Sequence, residues 1–195
     1  MGPIADSFTL LVNVFFNILL LLVLLRFLLQ LVRADFYNPI SQAVAKITNP
    51  VLIPLRRVIP GYGGFDVASL VLLLVAEILA TFALGLVHGV GLVPPLLAII
   101  WAPLGIVSMF LNFYFFAILA MIILSWVAPG SPSPVVYLLH QLTEPVMAPF
   151  RKLMPSLGGL DLSPILVFIA IQIAQIFVAY AARGVNLQPA LVVGF

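Results

Sequence analysis

The chain has 195 residues, of which 64% are apolar and 7% charged, with a formal net charge of +2 and no cysteine. A soluble domain carries roughly 25% charged residues. Too little polar surface is present to face water, so the composition points to an integral membrane protein. The missing cysteines exclude disulfides, thiolate metal sites and cysteine nucleophiles.

The N-terminal MGPIADSF has no basic n-region. The apolar run behind it is longer than the about 7–15 residues of a signal-peptide core, so it reads as an uncleaved first span. Pro3 and Asp6 break the myristoylation pattern. A crossing helix needs about 20 apolar residues, which gives spans at Ser7–Val32, Val67–Val87, Gly105–Val127 and Leu162–Ala182. In lipid each of these is forced into helix, because every backbone amide must find its partner within the segment. The run Leu92–Trp101 is too short to cross and carries Pro94 and Pro95. It is expected to lie at the interface, with Trp101 as an aromatic anchor.

Between spans 1 and 2 lie Arg33, Lys46, Arg56 and Arg57. Between spans 3 and 4 lie Arg151 and Lys152, and between spans 2 and 3 there is no Lys or Arg. The positive-inside rule then places both long connections in the cytoplasm and both termini outside, with Arg183 as a single dissenting charge.

The stretch TNPVLIPLRRVIPGYGGFD, Thr48–Asp66, returns as TEPVMAPFRKLMPSLGGLD, Thr143–Asp161, with nine of nineteen positions identical. The offset of 95 residues also relates Asn17 to Asn112, Asn13 to Ser108, Gln30 to Ser125 and Glu77 to Gln172. Each unit is span, connecting segment, span, so the two units run parallel and not inverted. Residues 1–90 form the first repeat, 91–104 an extracytoplasmic interfacial connection and 105–195 the second repeat. The fold class is all-α, with four transmembrane helices in two parallel repeats.

In the connecting segments, Ile40, Val44, Ile47 and Val51 fall on one helical stripe, as do Val135, Leu139, Leu142 and Val146. Each segment is expected to lie in the interface with that stripe down, starting at Pro39 or Pro134. Pro50, Pro54 and Pro60, with Pro145, Pro149 and Pro155, are expected to break the helices. The glycine pairs Gly63-Gly64 and Gly158-Gly159 suit a tight re-entry at positive φ. Asp66 and Asp161 are expected as helix N-caps, with an ion pair to the nearby cations as the alternative.

These repeated motifs resemble the YggT family, called YlmG in Gram-positive bacteria and having plastid relatives. The resemblance covers nearly the whole chain, in the two-copy proteobacterial form. It implies a small inner-membrane protein. Proposed roles for the family include osmotic tolerance linked to ion uptake, cell division or nucleoid organisation, and membrane-protein biogenesis. The plastid relatives are linked to cytochrome b6 haem attachment. The family has no agreed catalytic residues, so none carries over.

Inside the membrane, Glu77 lies eleven positions after Asp66, about 16 Å deep. An intramembrane acid is by default a functional candidate. Arg26 is within reach of it as an ion pair, either as helix glue or as an ion relay. The faces Asn13/Asn17 and Ser108/Asn112 are expected to meet near a pseudo-twofold axis, as interhelical hydrogen bonds or as a polar cavity, extended by Gln172 and Gln175. The basic residues Arg56, Arg57, Arg151 and Lys152 either set topology by snorkelling or hold anionic lipid headgroups. His88 and His140 do not map onto each other, which argues against bis-histidine haem. No Ser-His-Asp spacing, phosphate loop or HExxH is present.

The sequence therefore reads as a non-catalytic inner-membrane scaffold or biogenesis factor, with a cation-handling protein as the alternative. Its expected partners are the bilayer, including anionic lipids, and an unidentified membrane protein. No nucleic acid, cofactor or metal is expected, and a homo-oligomer is compatible with the reading.

Overall fold

The computed structural model describes residues 3–153 and 161–195. Among them are six helices: α1 Pro3–Leu31, α2 Pro39–Val58, α3 Val67–Val87, α4 Pro95–Val127, α5 Pro134–Leu153 and α6 Ser163–Gly184. A 3-10 turn, Pro189–Leu191, follows. Helices α1, α3, α4 and α6 are long and apolar enough to cross a membrane. Helices α2 and α5 both begin and end 95 residues apart, so the repeat in the sequence is a repeat of structure.

Within the first repeat α1 packs on α3, and within the second α4 packs on α6; α3 against α4 joins the two. Leu20, Leu24 and Leu28 of α1 are fully buried at four-residue spacing. On α3, Ala76 and Ala80 are buried in the same core, small residues that allow close helix approach. The outward residues, such as Phe15, Ile169, Phe177 and Tyr180, are large, apolar and exposed, as lipid-facing surface must be.

Three expectations need correction. First, α2 and α5 are continuous 20-residue helices that run through Pro50 and Pro54 and through Pro145 and Pro149. All four prolines are on the exposed side of their helices. The carbonyls they orphan therefore open outward, where water or headgroups satisfy them, and the buried side keeps its hydrogen bonds. Second, the stripe packed on protein is turned by about one residue. It is Ser41, Val44, Ala45, Thr48 and Leu52 in α2, and Leu138, Leu142, Thr143 and Met147 in α5. Ile47 and Val51 are exposed. Thr48 and Thr143 tolerate burial because each hydroxyl bonds back to a carbonyl one turn earlier, Val44 O at 2.7 Å and Leu139 O at 2.8 Å.

Third, the stretch Leu92–Trp101 is not a separate interfacial piece. From Pro95 it forms the first turns of α4, with proline at a position where its missing N–H is harmless. Trp101 is no exposed anchor. It is buried, and its indole N–H donates to Val185 O at 3.1 Å.

At the entry to α3, Gly63 and Gly64 take φ of 60° and 88°. They form a two-residue turn closed by Tyr62 and Phe65, whose backbones exchange hydrogen bonds of 3.2 and 2.9 Å. The expectation for Pro155 and Gly158-Gly159 falls outside the described residues.

Candidate functional site

Three groups of polar residues stand out, at the α2/α5 layer, inside the bundle, and between α1 and α4.

At the first, α2 and α5 are joined across the repeats. Asn38 caps α2 by accepting from Ile40 N–H at 2.9 Å, and its amide donates to Pro134 O at 2.8 Å. The Asp35 N–H donates to Gln141 Oε1 at 3.1 Å. Both amphipathic helices therefore form one layer. Within it the cations divide. Arg56 Nε donates to Asp66 Oδ1 at 3.3 Å and Nη2 to Gln30 Oε1 at 3.0 Å, and a further bond runs to Asp66 Oδ2. Arg151 pairs with Glu144 at 2.8 Å and with Asp161 at 3.3 Å. Arg57 and Lys152 are exposed and, among the described residues, in no such pair.

Asp66 serves two roles together. It caps α3 by accepting from Ser69 N–H at 3.3 Å, binds the Ser69 hydroxyl, and pairs with Arg56. Burial pushes its carboxyl up, but hydrogen bonds from Arg56 and Ser69 outweigh this and hold it below the ordinary aspartate value. Asp161 sits one residue before the N-cap of α6, which is Leu162. It accepts from Ser163 N–H at 2.9 Å. Hydrogen bonding from Ser163, then Arg151, holds it low as well. Glu144, and then Asp161, raise Arg151 further.

Inside the bundle, Arg26 and Glu77 do not pair. Glu77 is 1% exposed, and its Oε1 accepts the backbone N–H of Val193 at 2.8 Å. Arg26 Nε is buried with no hydrogen-bond partner. The Glu77 carboxylate already has a donor that the sequence reading did not consider. After α6 the chain reverses at Asn186, with φ of 51°. Residues 187–195 fold back as a strap, and Leu191, Val192 and Val193 are buried against α3 and α4. Two glycines permit the approach. A Cβ on Gly105 would stand 2.6 Å from Val192 Cγ1, and one on Gly194 would stand 2.8 Å from Gly105 O.

The two polar faces on α1 and α4 do not bond to each other. The Asn17 amide donates to Asn13 O at 2.9 Å within α1. Ser108 Oγ and Asn112 Nδ2 both donate to Gly194 O of the strap, at 2.6 and 3.0 Å. Gln175 extends this by donating to Asn112 Oδ1 at 2.8 Å. Gln172 faces outward on α6 and takes no part. His88 closes the end of α3, and His140 lies on α5.

The family described as CCB3/YggT matches residues 5–87 and again residues 100–182. The chain belongs to the CCB3/YggT family. The two CCB3/YggT matches start and end 95 residues apart, the same offset as α2 and α5. An uncharacterized protein of Pseudomonas aeruginosa is 49% identical over 163 residues, covering 83% of each chain. An Escherichia coli K12 protein named uncharacterized protein YggT is 39% identical over 191 residues, 95% of this chain and 97% of that one. The chloroplastic YlmG homolog protein 2 of Arabidopsis thaliana is 42% identical over 62 residues, 32% of this chain and 24% of that one. No solved structure matches.

The strap at 187–195 lies beyond both CCB3/YggT units. It is the structural element that sequence reasoning missed. Its signal was present in LVVGF, an apolar stretch too short to span and separated from α6 by Asn186 and Pro189.

Proposed function

We propose that the chain is a non-catalytic scaffold or membrane-protein biogenesis factor of the bacterial inner membrane. Helices α2 and α5 lie on the cytoplasmic face and form a paired platform, and both termini lie on the periplasmic side, following the distribution of basic residues. The observation that carries this reading is the coupling of α2 to α5 through Asn38–Pro134 and Asp35–Gln141. It merges two repeated basic segments into one surface, on which Ile47, Tyr137, Arg57 and Lys152 are exposed. Basic charge beside apolar side chains suits a surface that rests on anionic lipid and receives a protein partner.

The cation-handling alternative has less support. It needs Arg26 and Glu77 as a working pair, whereas Glu77 holds the strap backbone.

Photo-crosslinking residues at Ile47 on α2 and Tyr137 on α5 test the reading in native membranes. Both positions should trap the same membrane protein, and Ile169 on the outer face of α6 should not. Unrelated products from the two helices would overturn the platform. So would cation flux in proteoliposomes that Glu77→Gln abolishes. Labelling of Arg57→Cys from outside intact cells would overturn the orientation.

A further inference from the structure

The first helices of the two repeats, α1 and α4, face each other across a gap. Its walls are repeat mates, since Asn17, Ile18 and Leu21 of α1 stand opposite Asn112, Phe113 and Phe116 of α4. The gap holds an apolar groove of about 520 Å³, open to the outer surface at Ile18, Leu21 and Phe116, that reaches toward Leu139 of α5. A second cavity of about 430 Å³ shares Asn17, Asn112 and Gly194 with the first and extends to Asn13 and His88. His88 ends α3, and Asn13 lies in the N-terminal half of the antiparallel α1, so the polar end of the gap is the one opposite the α2/α5 layer. The gap thus runs along the spans, apolar at one end and polar at the other.

At the polar end one buried nitrogen lacks a partner, and two more accessible amides face the gap. His88 Nε2 is buried with no partner. The Asn13 side chain forms no hydrogen bond among the described residues, and Asn17 uses only its Nδ2. Lone amides and imidazoles between spanning helices are unfavourable unless something occupies their hydrogen-bonding positions. No Asp, Glu, Lys or Arg lines either cavity. A charged headgroup drawn in here would lose its water and find no counter-charge among the lining side chains.

We propose that the gap between α1 and α4 binds a single-tailed amphiphile with an uncharged, hydrogen-bonding head. The tail lies between Leu21, Leu25, Phe113 and Phe116, and the head bonds to Asn13, Asn17 and His88. A neutral hydroxyl or carbonyl head meets the free amides and leaves no charge buried. One extended chain parallel to the spans matches the long axis of the cavity. The site does not depend on the scaffold reading, because it lies within the bundle and away from the exposed face of the platform.

The test uses the full chain in lipid nanodiscs with a diazirine derivative of hexadecanol as probe, and peptide mass spectrometry to locate the label. Labelling should be saturable and confined to peptides that contain Leu21, Leu25, Phe113 and Phe116. Unlabelled hexadecanol should compete, and hexadecyl phosphate should compete at least tenfold less well. Leu21→Trp, at a partly exposed position that fills the apolar groove, should reduce labelling at least fivefold, whereas Ile169→Trp should not. Asn13→Leu disturbs no internal side-chain bond and should weaken competition severalfold, so the head contact stays testable even if Leu21→Trp folds poorly. Label spread evenly to Ile169 and Phe177 would overturn the site. Equal competition by hexadecyl phosphate would overturn the neutral head.

Discussion

Glu77 on α3 accepts a hydrogen bond from the backbone N–H of Val193, 2.8 Å away and 116 residues later in the chain. An intramembrane acid that looks like a transport residue in the sequence is, in the fold, the anchor for a re-entrant strap. Glu77→Gln keeps an oxygen acceptor at this position, so the melting temperature in detergent should hardly change. Glu77→Leu leaves the Val193 N–H buried without a partner, which costs about 1–3 kcal/mol. Thermal unfolding of the two variants side by side checks this, and equal losses would remove the hydrogen bond as the cause.

Gly105 meets the strap from the other side. A methyl group there would stand 2.6 Å from Val192 Cγ1 and 2.9 Å from both Glu77 Oε1 and Val193 O. Two of these three atoms belong to the strap, and the backbone oxygen cannot rotate away. Gly105→Ala should therefore push the strap off α4 and destabilise by about 1–3 kcal/mol. Proteolysis at residues 187–195 should accelerate, while Gly184→Ala, where a Cβ meets nothing, should not have this effect.

The contrast with the sequence reading has physical causes. The spans and the repeat were legible because lipid forces apolar segments into helix and because α2 and α5 keep their register. The capping role of Asp66 was legible because it depends on neighbours three residues away. The Glu77–Val193 bond was not, since its donor is a backbone N–H and any residue type except proline supplies one. The uninterrupted course of α2 was misread for a different reason. A proline breaks a helix when its orphaned carbonyl is buried, and whether Pro50 and Pro54 face outward depends on the tertiary fold.

Asp66 and Asp161 carry the acid dependence of the α2/α5 layer. Both folded-state carboxyls are held below their ordinary value of 3.8. Their contribution is therefore complete above that value and is lost as pH falls through the depressed folded-state values. Asp66 is nearly buried, whereas the Asp161 side chain is 47% exposed. Asp66→Asn should cost on the order of 2 kcal/mol at neutral pH, as expected for hydrogen bonds to a charged group. Asp161→Asn should cost distinctly less because water screens its pair. Unfolding midpoints of wild type and Asp66→Asn, followed downward from neutral pH, should stay apart above 3.8 and draw together below it.

The division among the basic residues predicts that lipid association and folding can be separated by mutation. Arg56 is held by Asp66 and Gln30, and Arg151 by Glu144 and Asp161, so their charges are already engaged. Arg57 and Lys152, both exposed, form no ion pair among the described residues. Near an anionic surface each free cation contributes about 1 kcal/mol. Arg57→Gln with Lys152→Gln should therefore weaken association of the detergent-solubilised protein with anionic lipid by about 2 kcal/mol, at an unchanged melting temperature. Arg56→Gln should do the opposite, lowering the melting temperature by stranding Asp66 and changing lipid association little. Co-sedimentation with phosphatidylglycerol-doped vesicles over a salt series, beside thermal unfolding, distinguishes the two. If Arg57→Gln with Lys152→Gln left the salt dependence unchanged, the exposed cations would serve only to set orientation.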